Sequence, residues 1–185
     1  ALDWAATDSD PGTTLYFDLA WAPDGGSRWL PIGTQTGSTA RDWNTTLAPG
    51  GTQGLIRVTA SDAFETASAT SFGFFVLQDS EPRVTILSPM DGAAFLQFQE
   101  GALRVAAFDP EDGMLDGPGI AWTSLPATPL GVGASRVRLL KPGAHTIQVE
   151  AIDSAGHIVT REVDIVVLAD SDRDGLSDSD EALMG

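Results

Sequence analysis

An all-β fold, two tandem β-sandwiches followed by a short acidic tail, is what this 185-residue chain predicts. Three observations carry the prediction. Short runs rich in β-branched and aromatic residues recur along the chain, each bounded by Gly, Pro, Asp or Ser. With 20 glycines and 11 prolines, turns are frequent and long helices disfavoured. A pattern of residues in the first half also returns in the second, at a distance of about 90–100 residues, the size of one sandwich.

The strands are read in order. In the first half they are Leu2–Ala6, Thr14–Ala22, Arg28–Ile32, Leu55–Ala60 and Ser71–Leu77. In the second they are Arg83–Leu87, Leu103–Phe108, Ile120–Thr123, Arg136–Leu140, His145–Ile152 and Ile158–Leu168. Alternation is clearest late in the chain, where Ile147, Val149 and Ala151 point one way and Thr146, Gln148 and Glu150 the other. No amphipathic helix is expected before the C-terminal tail.

The repeat organises the chain. Leu2-Asp3-Trp4-Ala5-Ala6-Thr7-Asp8 matches Leu103-Arg104-Val105-Ala106-Ala107-Phe108-Asp109, and acidic turns ending at Gly12 and Gly113 follow. Val58-Thr59-Ala60-Ser61-Asp62 matches Val149-Glu150-Ala151-Ile152-Asp153. The boundary falls in Gln78-Asp79-Ser80-Glu81-Pro82, polar and closed by a proline of the kind that precedes a first strand. Domains are therefore expected at 1–78 and 82–168, with a separate loop repeat at 169–185. Arg83–Leu87 precedes the repeated strand in domain 2. Domain 1 has no counterpart, so its first strand is expected to lie outside the chain, leaving an unpaired edge.

Both halves resemble bacterial extracellular immunoglobulin-like repeats of the fibronectin type III, PKD and cadherin-like kind. The carriers in the first are Trp4-Ala5-Ala6-Thr7-Asp8-Ser9-Asp10, Ala22-Pro23-Asp24-Gly25-Gly26-Ser27-Arg28-Trp29 and Ile56–Asp62. In the second they are Ala107-Phe108-Asp109-Pro110-Glu111-Asp112-Gly113, Leu130–Gly133, Pro142–Ile147 and Asp153-Ser154-Ala155-Gly156. The resemblance implies immunoglobulin-like sandwiches. It says little of function, because such modules serve as spacers, adhesins and enzyme appendages.

The tail resembles thrombospondin type 3 and other EF-hand-like calcium repeats of secreted bacterial proteins, which implies an extracellular or cell-surface setting. Its residues support this independently. Calcium is a hard cation that takes about six to eight oxygens. Asp170, Asp172 and Asp174 place carboxylates at positions 1, 3 and 5 of a twelve-residue loop. Gly175 permits the turn at position 6, and Leu176 offers a backbone carbonyl at position 7. Asp178 at position 9 can act directly or through water, and Glu181 at position 12 can supply two oxygens. Without a cation these carboxylates repel one another. The alternative is a disordered acidic tail.

A second, junctional calcium site is drawn from Asp79, Glu81, Asp109, Glu111, Asp112 and Asp153, since the corresponding turns of an immunoglobulin-like sandwich lie at one end and cadherin-like proteins hold calcium between domains. The competing reading is turn chemistry alone, as Asp caps turns and Gly takes positive φ. Asp8, Asp10 and Asp62 form the equivalent set in domain 1.

Charge and composition narrow the rest. A formal net charge of −16 repels a nucleic-acid backbone. There is no cysteine, hence neither disulfide nor thiolate metal site. No apolar stretch approaches the roughly 18–20 residues of a membrane span, so membrane insertion is not expected. Trp4 and Trp122 are expected in the cores. Trp21, Trp29 and Trp43 either pack likewise or, if exposed side by side, form a sugar-stacking platform. His145 and His157 sit on or beside strands without a zinc-protease pattern. No G-x-S-x-G nucleophile motif occurs, and no catalysis is expected. The expected function is a non-catalytic calcium-binding spacer or adhesion segment of a larger secreted or cell-surface protein. Its partners would be other domains of that chain and an extracellular protein or glycan. The alternative is a carbohydrate- or protein-binding accessory module of an exported hydrolase.

Overall fold

In the computed structural model, residues 1–10 and 12–184 are described. The chain divides into two compact units, Ala1–Ser80 and Glu81–Gly185. Both are β-sandwiches.

The first unit holds β1 (Leu2–Asp3), β2 (Tyr16–Ala22), β3 (Leu30–Thr36), β4 (Ala40–Arg41), β5 (Gly51–Ser61), β6 (Thr66–Thr70) and β7 (Phe75–Leu77). One sheet runs β3-β2-β5-β6, with β7 also on β5, and β1 pairs antiparallel with β4. Beyond β1 the strand-like alternation continues: Leu2, Trp4 and Ala6 are half-buried, while Asp3, Ala5 and Thr7 are exposed. The Trp4 amide donates to the Thr39 carbonyl at 3.0 Å.

Of Ser71–Leu77, expected as one strand, only Phe75–Leu77 is a strand, and a separate strand, Thr66–Thr70, precedes it. Thr66–Thr70 pairs with one end of β5 and Phe75–Leu77 with the other. Between them Gly73 takes φ +76°, which breaks the extended backbone. Trp21 is the centre of this core, 1% exposed, with its indole N–H donating to the Pro49 carbonyl at 3.1 Å. Gly54 makes room for it, since a Cβ there would lie 2.3 Å from the Trp21 ring.

The second unit holds β8 (Arg83–Ser88), β9 (Ala93–Leu96), β10 (Gly101–Asp109), β11 (Gly113–Met114), β12 (Ile120–Ser124), β13 (Thr128–Val132), β14 (Ser135–Arg138), β15 (Gly143–Ile152) and β16 (Ile158–Leu168). It ends in α1 (Asp178–Met184). β8, β11 and β14 pair with β10 in one sheet, and the other runs β13-β12-β15-β16-β9. The β9–β16 pairing is parallel, which carries one edge of the chain from the first sheet to the second.

The alternation expected for β15 is realised. Ile147, Val149 and Ala151 are each 0% exposed. They face Leu103, Val105 and Ala107 of β10 in one core that also takes in Trp122. Neither β9 nor β13 was legible as a strand. β9 is four residues without alternation, and β13 carries Pro129, which an edge strand tolerates because its outer N–H need not pair.

Candidate metal centre

The acidic tail leaves the end of β16 as an ordered loop packed on the second unit. The Asp170 amide donates to Gln97 Oε1 at 3.3 Å, and the Arg173 guanidinium lies 4.1 Å over the Phe98 ring. Gln97 in turn donates its own amide to the Leu168 carbonyl at 2.8 Å. The β9–β10 connection therefore braces the loop at its entrance.

Within the loop each aspartate organises the backbone that follows it. Asp170 Oδ1 accepts from the Arg173 amide at 2.8 Å, Asp172 Oδ1 from the Asp174 amide at 3.2 Å, and Asp174 Oδ1 from the Leu176 amide at 2.8 Å. Arg173 takes φ +67° and Gly175 φ +92°, and these two residues turn the backbone tightly around the carboxylates. The result is that Asp170, Asp172 and Asp174 each bring a carboxylate oxygen within 4.8 Å of the others. Asp170 is 4% exposed, the other two exposed.

Glu181 faces the same cluster from the first turn of α1. The charge of Asp172, with smaller contributions from burial and from Asp174, Asp178 and Asp170, holds its carboxyl above the usual range. Four acids repelling at one place, on hard oxygen donors, with a glycine at the sharp turn, form a donor set that suits calcium. Asp178 adds to the charge that raises Glu181 and also holds the loop together. Its two oxygens accept from the Ser171 amide and hydroxyl, both at 2.7 Å, so that it ties the two sides of the loop together. Leu176 is exposed, and its amide is held by Asp174 as described.

Ser177 was not singled out in the sequence, yet it is 1% exposed and caps α1. Its hydroxyl accepts from the Asp180 amide at 3.1 Å and donates to Asp180 Oδ2 at 2.7 Å. The signal was present: Ser-x-x-Asp is a shortened capping box, and Asp178, Asp180 and Glu181 fill the helix's first turn.

The second acidic group is distributed otherwise. Asp79 lies in the first unit and Glu81 in the second, both exposed. The remaining four belong to the second unit. Asp109 is 1% exposed at the end of β10, and its Oδ1 accepts from the Glu111 and Asp112 amides, both at 2.9 Å. This is the turn chemistry read as the alternative. Asp109 Oδ2, shielded from solvent, makes no hydrogen bond. Asp112 Oδ2 and Oδ1 accept from the Ser154 amide and hydroxyl at 2.7 and 2.8 Å, which joins the β10–β11 turn to the β15–β16 turn at one end of the sandwich. Glu111 is half-buried beside them.

Asp153 is 8% exposed and accepts from the His157 amide and imidazole Nδ1, each at 2.8 Å. Burial opposes its charged form, but the bonds from His157 and the Gly156 amide outweigh burial and hold the carboxyl below its usual range. A depressed carboxyl contributes stability above its unfolded value, near pH 3.9, and loses it as pH falls through the lower folded value. Asp153→Asn is therefore expected to unfold more readily than the parent chain at neutral pH. In urea titrations the gap closes as pH drops below about 4.

In the first unit Asp8, Asp10 and Asp62 bring carboxylate oxygens within 4.8 Å of one another, all at or near the surface. Asp62 accepts from the Phe64 and Glu65 amides at 2.8 and 2.6 Å and serves its turn.

The tryptophans do not form a platform. Trp21 is buried, Trp43 packs its half-buried ring 5.4 Å from it, and Trp29 lies under the Arg57 guanidinium at 4.3 Å. His145 bridges the Ser124 hydroxyl at 3.0 Å and the Lys141 carbonyl at 2.8 Å. Among the described residues no helix is long and apolar enough to cross a membrane.

No family model matches the chain, and no curated protein matches its sequence. Among solved structures, the fibronectin(III)-like modules of Clostridium thermocellum CbhA are similar over 89% of this chain and 83% of theirs, at 14% identity and a TM-score of 0.43. The human desmocollin-1 ectodomain matches at 14% identity and a TM-score of 0.32, over 87% of this chain and 34% of its own. PcdhgB3 EC1-4 matches at 14% and 0.31, over 84% of this chain and 41% of its own. The sandwich architecture follows from the strand pairings themselves.

Proposed function

We propose that this chain is a non-catalytic, calcium-binding spacer or adhesion segment of a larger exported protein. The supporting observation is the convergence of Asp170, Asp172 and Asp174 within 4.8 Å on a loop braced against a sandwich. Asp170, Asp172, Asp174, Glu181 and the Leu176 carbonyl would hold the ion, with Asp178 joining them directly or through water while it orders the loop. Bound there, calcium supplies charge neutralisation and a rigid cross-link between the end of β16 and α1.

The orphaned Asp109 Oδ2 supports a second cation in the acidic turn that Asp109 shares with Glu111 and Asp112. The accessory-module reading draws on exposed phenylalanines, with Phe64 at 94% and Phe72 at 108% exposure, which suit a protein partner better than a sugar.

Calorimetric titration of the full chain with calcium tests the first site. The expected result is a binding heat from which Asp170→Ala/Asp172→Ala removes the loop site, while that site is retained in Asp109→Asn. A parent chain with no heat, or a double variant with undiminished binding, removes the proposal.

A further inference from the structure

We propose that the first unit accepts an extended polypeptide strand, apolar at alternate positions, in a groove between Leu2–Thr7 and β6. This is independent of calcium. The two units carry equivalent strands on either side of this place. The sequence repeat equates Leu2–Asp8 with Leu103–Asp109 of β10, and Val58–Asp62 of β5 with Val149–Asp153 at the end of β15. The strand that follows each of these, β6 in one unit and β16 in the other, pairs with it antiparallel.

In the second unit one stretch of chain spans both. β8 pairs antiparallel with β10, and β9 pairs parallel with β16. Val84 and Ile86 from β8, and Ala93 and Phe95 from β9, pack into the core at alternate positions.

The first unit has the two flanking strands and, among the described residues, nothing that spans them. Leu2–Asp3 pairs only with β4. β6 is the outer strand of its sheet, and all five of its residues are exposed. Between them opens a cavity of about 500 Å³. Leu2 to Thr7 form one wall, Ala67 to Ser71 the other, and Phe17 and Ile56 line its depth.

The walls run for about five residues each, the length of a strand rather than of a compact ligand. Trp4, in the first wall, has an indole N–H shielded from solvent and without an acceptor, a donor that a carbonyl can satisfy. An edge ladder beside an apolar trough is the arrangement that strand addition uses: main-chain bonds for affinity, alternate side chains for fit.

The test uses the full chain with a second copy of Pro82–Glu100 joined ahead of Ala1, which reproduces the order of elements in the second unit. Hydrogen–deuterium exchange at Leu2–Thr7 and Thr66–Thr70 is expected to slow by at least about tenfold relative to the parent chain. Val84→Lys/Ile86→Lys in the added copy restores the parent rate. Identical exchange in the fused and parent chains overturns the proposal. So does a concentration-dependent dimer of the parent that itself protects β6, which would make a second copy the occupant. Protection by an apolar dye but not by the fused strand would make the groove a small-molecule cavity, and overturns it equally.

Discussion

Trp122→Ala is expected to lower the stability of the second unit by about 3–5 kcal/mol. The side chain is 1% exposed in the middle of β12, between β13 and β15. It packs into the core formed by β10, β12, β15 and β16. Its indole N–H donates to the Gly133 carbonyl at 3.0 Å, so truncation removes both the largest volume in this core and the partner of a buried carbonyl. Ladders to β13 and β15 fix β12 on either side, which limits how far the hole can collapse. Trp122→Phe keeps much of the volume and loses the hydrogen bond, and is expected to cost less than half as much. Urea unfolding followed by circular dichroism measures both. A loss under about 1 kcal/mol for the alanine variant would mean that the core closes over the gap.

Calcium at about a hundred times its dissociation constant is expected to stabilise the second unit by about 2.7 kcal/mol. The magnitude follows from binding to the folded form alone, and the structure supplies the reason the unfolded form should not bind. The loop is held by contacts from distant parts of the chain: Gln97 on the Asp170 amide and Phe98 under Arg173. The Asp178 amide also donates to the Ala169 carbonyl at 2.9 Å, which closes the loop on the end of β16. Relief of the repulsion among the acids around Glu181 is part of what sets that dissociation constant. In the Gln97→Ala/Arg173→Ala variant, calcium should still bind, but with a smaller gain in unfolding free energy. Equal urea midpoints in calcium and in chelator would show that the loop binds as an autonomous peptide or not at all.

Much of this was legible in consecutive residues. The alternation of Ile147, Val149 and Ala151 names the buried face of β15 because a strand's side-chain period is two, whatever it pairs with. The spacing of Asp170, Asp172, Asp174 and Gly175 determines a carboxylate cluster because a short loop with Asp-capped turns closes on itself. Trp21 could not be placed from its neighbours, since its burial depends on Gly54, Phe75 and Pro49, all far along the chain.

By itself, then, the sequence determined the all-strand character, the repeat and the acids of the C-terminal loop. Only the tertiary structure decided that Asp178 ties down Ser171, that strand structure within Ser71–Leu77 is confined to Phe75–Leu77, and that β6 is left as an edge. The reason is one of range. Period and ligand spacing are properties of neighbouring residues, whereas an open edge or the partner of a carboxylate is settled by segments that meet only when the chain has folded.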